Sequence, residues 1–112
     1  MRFFITEDER KMSGSTAFIE FQKGVDDGTC WKTDSVCMED ELFSELHLRR
    51  FLTLNLPQFD YYGITQVSKR EFDKLCENAL GFSAEVEACL KELAEWAGEG
   101  AEDDVYFTII GM

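Results

Sequence analysis

The chain has 112 residues, and its 23 acidic against 11 basic side chains give a formal net charge of -12. A chain of this length is expected to form one domain, spanning residues 1–112. An apolar content of 45%, with 13% aromatic residues, excludes a disordered chain. The charge disfavours direct binding of nucleic acid, whose phosphates it repels, and favours a partner with a basic surface.

The N-terminus and the cysteines give expectations about location. The apolar run at residues 3–5 is too short for a signal peptide, and no stretch approaches the ~20 apolar residues of a membrane span. We therefore expect a cytoplasmic protein without membrane contact, whose cysteines are reduced thiols. Their spacing matches no zinc motif, so no structural metal is expected. The four are Cys30, Cys37, Cys76 and Cys89.

The first third of the chain predicts strands. Arg2–Thr6 is short and aromatic and predicts a strand, whereas the polar stretch Glu7–Ser15 predicts a loop. Alternating apolar residues in Thr16–Lys23 predict a second strand. Asp26–Gly28 predicts a hairpin turn, after which Thr29–Thr33 is expected to return as a third strand.

The middle of the chain predicts one long helix that starts at Asp34 or Ser35. Its apolar residues lie near helical spacing, and they are Met38, Leu42, Phe43, Leu46 and Phe51. The alternation in Leu52–Leu56 then predicts an extended segment. Tyr61–Val67 is rich in β-forming residues and predicts a strand.

Two helices and a strand are predicted after residue 67. Ser68 and Glu71 are spaced as a capping box, and the helix that follows is expected to end at Gly81. A second helix is expected between Ser83 and Gly98, before a last strand at 105–110 that is apolar on both faces and therefore internal. The residues predicted to form the core are Phe72, Leu75, Val86, Leu90, Leu93, Phe107 and Ile109.

This order of elements predicts an α+β fold. We expect a two-layer sandwich, in which a mostly antiparallel sheet of about four to five strands carries about three helices on one face. The sequence does not determine the order of the strands in the sheet.

No catalytic motif is found. Cys37 lies near a predicted helix start and His47 is the only histidine, but ten positions on one helix would separate them by about 15 Å of rise. The neighbouring acids at 39–41 would also raise the thiol pKa. No phosphate-binding loop or cofactor motif occurs. We therefore expect no catalytic, cofactor or metal site; a cleft lined by buried acids would instead favour an enzyme.

Residues 83–104, hereafter the acidic segment, form the first candidate binding site. The segment contains eight acids against the single base Lys91. Charge reversal at Glu92, Glu95 and Glu99 is expected to leave the fold intact, because none of the three belongs to the apolar stripe. The eight acids are Glu85, Glu87, Glu92, Glu95, Glu99, Glu102, Asp103 and Asp104.

The second candidate is the aromatic segment Phe59, Asp60, Tyr61 and Tyr62. Tyrosines beside an acid are favoured at protein interfaces, because they bury area with little loss of entropy and keep a polar tip. The alternative is a strand whose rings pack beneath the helices. Both candidates have a purely structural interpretation, namely a solvated helix face for the acids and core packing for the rings.

These features favour a non-catalytic, acidic protein-binding module. The specific hypothesis is a bacterial immunity or inhibitor protein that neutralises a basic partner such as a nuclease toxin. The alternative is a structural or oligomerisation domain whose acidity only confers solubility, and a homodimer is compatible with it. No motif selects between the two.

Overall fold

The computed structural model describes all of residues 1–112 and has an α+β fold, as predicted. Five strands form one sheet in which every pair is antiparallel, in the order β1-β3-β2-β5-β4. The strands are β1 Ile5–Thr6, β2 Phe18–Lys23, β3 Val36–Glu39, β4 Ile64–Ser68 and β5 Val105–Ile110. The helices are α1 Glu7–Ser13, α2 Asp40–Glu45, α3 Leu48–Asn55, α4 Lys69–Ala79 and α5 Ala84–Ala97.

One face of the sheet, hereafter the helix-covered face, packs against the apolar sides of α2 to α5. Alternate strand residues such as Phe21 and Ile109 enter one core with Phe43 of α2 and Leu75 of α4. The predicted core is confirmed, since all seven of its residues are at most 3% exposed. No helix has both the length and the apolar content needed to cross a membrane.

The opposite face of the sheet, hereafter the second face, is covered only in part. Cys37 of β3, Glu20 of β2 and Ile110 of β5 are direct neighbours across the strands and lie on this face. Helix α1 and the loop at residues 24–35 cover its β1, β3 and β2 side. Because β4 is an edge strand, the β4 end of this face has no neighbouring strand beyond it.

Two predictions for the first third are wrong, and the strand predicted over Arg2–Thr6 is present only at Ile5–Thr6. Glu7–Ser15 is largely helical, because Thr6 and Glu9 form a reciprocal capping box at the start of α1. Thr29–Thr33 is not a strand, and the chain returns as β3 only at Val36. Within that stretch Trp31 has a φ of 57°, a left-handed conformation that cannot continue a strand.

The long middle helix is also wrong. Met38 lies in β3, where pairing with β2 fixes residues 36–39 as a strand. The helical part then breaks at His47, whose φ of 59° is left-handed and separates α2 from α3. Leu52 to Asn55 belong to α3, so the extended segment predicted there is wrong too.

The second half follows the sequence prediction except at Tyr61–Gly63, which form a turn before β4 rather than the start of the predicted strand. Ser68 and Glu71 form the predicted capping box of α4, and the Ser83 side chain accepts from the Val86 amide at the start of α5. β5 lies between β2 and β4, so its predicted internal position is confirmed. These elements place Glu85, Glu87 and Glu95 on the exposed side of α5.

Candidate functional site

Four exposed acids on α5 or directly after it have no ion-pair partner, and Asp104, before β5, is also exposed and unpaired. Glu85, Glu87, Glu95 and Glu99 are exposed, and none forms a salt bridge. We call these four the free acidic surface. The first three lie on α5, whose opposite side is buried in the core, and Lys91 is the only base on the helix. Lys91 is four residues from both Glu87 and Glu95 but forms no salt bridge with either, so the helix displays an excess of negative charge.

Glu92 has a different environment from its neighbours on α5. Its carboxylate accepts backbone hydrogen bonds from Arg2 at 3.0 Å, from Phe3 at 3.1 Å and from Phe4 at 3.0 Å. Phe3 and Phe4 are buried, so Glu92 fixes the N-terminal segment against α5. The expectation that Glu92 could be reversed without effect on the fold is therefore revised. Tests of binding at α5 need to retain this residue.

Glu102 and Asp103 are paired with Arg70 at the start of α4. The Arg70 guanidinium lies 3.1 Å from the Glu102 carboxylate and 3.0 Å from that of Asp103. The backbone N–H groups of Lys69 and Arg70 also donate to the carbonyls of Asp104 and Glu102. These acids fasten the α5–β5 connection to α4, where negative charge is favourable near a helix N-terminus.

The aromatic segment is divided between core and surface. Phe59 and Tyr61 pack on Phe43, with ring centroids 6.4 and 6.2 Å apart. Burial raises the pKa of Tyr61 to about 12, and the hydrogen bond from its hydroxyl to Asp40 acts in the same direction. Tyr62 remains 70% exposed. Core packing therefore accounts for the rings of Phe59 and Tyr61, whereas Tyr62 is available for contact with a partner.

The outer part of the aromatic segment also has defined neighbours. The Asp60 carboxylate accepts from the backbone amide of Tyr62 at 2.9 Å. The Arg49 guanidinium lies over the rings of Tyr61 and Tyr62, at 4.0 and 5.3 Å from their centroids. Tyr62 thus already forms a cation–π contact with one basic side chain, and a lysine or arginine of a basic partner could form the same kind of contact.

The buried thiols lie in unreactive surroundings. Cys37 is on β3 rather than on a helix, with its sulfur 3.7 Å from the carbonyl oxygen of Ile5. Burial raises the pKa of Cys37 and of Cys89 to about 12 in each case. Neither thiol therefore ionises appreciably at neutral pH, and nucleophilic chemistry needs the thiolate.

A direct test uses iodoacetamide on the native protein at neutral pH, with modified positions mapped by mass spectrometry. Cys30 is the exposed cysteine and is expected to react first. Cys37 and Cys89 are expected to react only after unfolding in denaturant, because each is both buried and protonated. Alkylation of native Cys37 as fast as that of Cys30 would contradict this assignment.

A buried polar cluster on the second face was not predicted from the sequence. Glu20 is 1% exposed, and its Oε2 accepts from the Ser35 hydroxyl at 2.7 Å and from the Gln22 side chain at 3.1 Å. Gln22 also donates to the Thr29 carbonyl at 2.8 Å. The remaining oxygens of the Glu20 and Gln22 side chains have no hydrogen-bond partner. The cluster holds the loop at residues 24–35 on the sheet.

Helix α1 is tied to the same loop through Arg10. The Arg10 guanidinium donates two hydrogen bonds to the Glu7 carboxylate, at 2.8 and 2.7 Å, and it stacks 3.9 Å from the centroid of Trp31. The hydrogen bonds from Arg10 lower the pKa of Glu7. Glu7 on α1 and Glu20 on β2 are thus both buried acids on this side of the sheet.

No group of three or more histidine, cysteine, aspartate or glutamate side chains is arranged to hold a metal ion. Comparison with known proteins finds no matching family model, no matching curated protein and no matching solved structure.

Proposed function

We propose that the chain is a non-catalytic binding module that presents the free acidic surface to a basic protein partner. The specific role proposed is that of a bacterial immunity or inhibitor protein directed at a basic enzyme such as a nuclease toxin. The observation that carries the proposal is that the exposed acids Glu85, Glu87, Glu95 and Glu99 form no ion pair. The first three lie on a helix whose other side packs in the core.

Electrostatics connects this surface to a nuclease partner. A protein that binds nucleic acid neutralises phosphates with lysine and arginine, so its substrate site is basic. An acidic surface held on a rigid helix is attracted to that site and competes with the nucleic acid there. Competition of this kind requires no catalytic activity of the chain.

The proposal is tested by capture of partners from extracts of the native host. Three immobilised proteins are compared: the wild type, the variant Glu95→Lys/Glu99→Lys, and the control variant Glu41→Lys/Glu45→Lys. Both variants change the net charge equally, and all four positions are exposed and free of salt bridges. Circular dichroism establishes that each variant is folded.

We expect mass spectrometry to identify a basic protein that the wild type and the control retain and that Glu95→Lys/Glu99→Lys loses. Equal retention by all three proteins would contradict a role for the free acidic surface. If no basic protein is retained and the wild type is dimeric in solution, the result would favour the alternative of a structural or oligomerisation domain.

A further inference from the structure

The β4 end of the second face exposes apolar side chains. Ile64 is 54% exposed and lies directly opposite Ile110 of β5, on the same side of the sheet. Tyr62, just before β4, is 70% exposed, and Met112 is 43% exposed. The Met112 amide donates to the Tyr61 carbonyl at 2.8 Å, which places these residues side by side. We call Tyr62, Ile64, Ile110 and Met112 the open sheet face.

The first two residues of β4 are placed opposite to the usual pattern, with the apolar side chain outward and the polar one inward, whereas Gln66 and Val67 follow that pattern. Ile64 points outward, whereas the next residue, Thr65, is 1% exposed on the helix-covered face. The Thr65 hydroxyl is occupied there, since it accepts from the Asp60 amide at 3.0 Å. A half-exposed isoleucine on an edge strand buries little apolar area within its own chain and remains available for contact with another chain. This arrangement indicates a surface that a partner covers.

Acidic side chains border the open sheet face. Asp60 precedes it, and Asp26 lies beside it because the Asp26 amide donates to the Gln66 side chain of β4 at 3.0 Å. Glu39 lies opposite Phe18 on the same face of the sheet and is exposed. None of these three acids forms a salt bridge. Arg49, whose guanidinium lies over the Tyr62 ring, is a base at the same border. Three acids against this base leave the surface apolar in the middle and negative at its border.

This combination selects the kind of partner. In a symmetric dimer the same patch meets itself, so the border with Asp26, Glu39 and Asp60 would meet the equally acidic border of the second copy. With a net charge of -12 on each chain, such an approach is repulsive. A cationic segment with aliphatic side chains can instead pair its basic groups with the acids of the border and pack its aliphatic groups on the apolar middle. Charge complementarity thus favours a basic amphipathic partner over a second copy.

We propose that the open sheet face docks an extended segment of a partner protein in which lysine or arginine alternates with aliphatic residues. This inference rests on the proposed basic partner and adds a second contact surface to it. The open sheet face and α5 lie on opposite sides of the sheet, because α5 packs on the helix-covered face. A partner that uses both surfaces must therefore reach both sides of the sheet.

The test uses a defined peptide with the full-length, isotope-labelled protein. The peptide has about six residues, the usual length of a strand, and alternates lysine and isoleucine. A matched peptide replaces each isoleucine with serine. Binding is followed by backbone amide chemical shifts for the wild type, for Ile64→Lys and for the control Leu80→Lys, whose residue is 70% exposed on a different surface.

We expect the lysine–isoleucine peptide to shift the amides of Ile64, Gln66 and Ile110, with affinity reduced about ten-fold in Ile64→Lys and unchanged in Leu80→Lys. The serine peptide is expected to bind more weakly, because it lacks the apolar contacts. Shifts confined to Glu95 and Glu99 would overturn the open sheet face while leaving the proposed function standing. Absence of shifts, or dimerisation of the wild type that Ile64→Lys abolishes, would also overturn it.

Discussion

Replacement of Leu90 by alanine is expected to lower the free energy of unfolding by about 2–5 kcal/mol, the range for removal of a large core side chain. Leu90 is 2% exposed and belongs to the single core cluster between α5 and the sheet. The loss of unfolding free energy has two parts: the transfer free energy of the removed methyl groups and the cost of the cavity that they leave. The cavity persists because neighbours such as Phe107 are held by the sheet and relax only in part.

Urea unfolding followed by circular dichroism measures this effect as a lower transition midpoint. Leu80→Ala is the matched control, since Leu80 is 70% exposed and its change is expected to stay within about 0.5 kcal/mol. An unchanged midpoint in Leu90→Ala would refute the assignment of the α5 apolar side to the core.

Replacement of Glu92 by alanine is expected to cost about 2–3 kcal/mol of unfolding free energy, because a charged acceptor of backbone hydrogen bonds is lost. Three amide N–H groups at Arg2, Phe3 and Phe4 lose their acceptor in this variant. Because the site is partly exposed, water can replace some of these hydrogen bonds. The loss of unfolding free energy is therefore smaller than the sum for three buried hydrogen bonds. Glu92→Gln keeps one acceptor oxygen and is expected to be intermediate.

Glu95→Ala is the control for this series. Glu95 lies one turn further along α5, is exposed and has no hydrogen-bond partner that would be lost. Its replacement is expected to change stability by no more than about 0.5 kcal/mol. Equal midpoints for Glu92→Ala and Glu95→Ala would show that the N-terminal segment does not depend on the Glu92 carboxylate.

The parts of the fold that were predicted correctly depend on local signals. The capping box at Ser68 and Glu71 and the apolar stripes of α4 and α5 lie within a few turns of one helix, so the sequence alone contains them. The internal position of β5 followed from its apolar residues on both faces. Local propensity and tertiary packing favour the same structure in these elements.

The errors fall where distant contacts decide the structure. Residues 36–39 are a strand because all four pair with β2, and Val36 and Cys37 pair with β1 as well, although the apolar spacing through Met38 favours a helix. Helix α1 has a complete capping box at Thr6 and Glu9 but no apolar stripe, and its polar composition favoured a loop. The left-handed break at His47 has no local signal in the sequence.

The candidate site likewise has features that the local sequence predicts and features that depend on distant contacts. Charge counting locates the acids on α5, but it cannot distinguish Glu92 from Glu95, because the partners of Glu92 are amides near the other end of the chain. It also cannot reveal that Glu102 and Asp103 share Arg70. The structure therefore reduces the acidic segment to a smaller set of free carboxylates on which recognition can be tested.

The most direct test of the central claim is the association rate of the captured basic partner, measured by stopped flow at increasing ionic strength. The wild type and the control Glu41→Lys/Glu45→Lys are expected to associate rapidly at low salt, and Glu95→Lys/Glu99→Lys roughly ten-fold more slowly, with the difference shrinking as salt screens the charges. Equal association rates for all three proteins at low salt would contradict recognition through the free acidic surface.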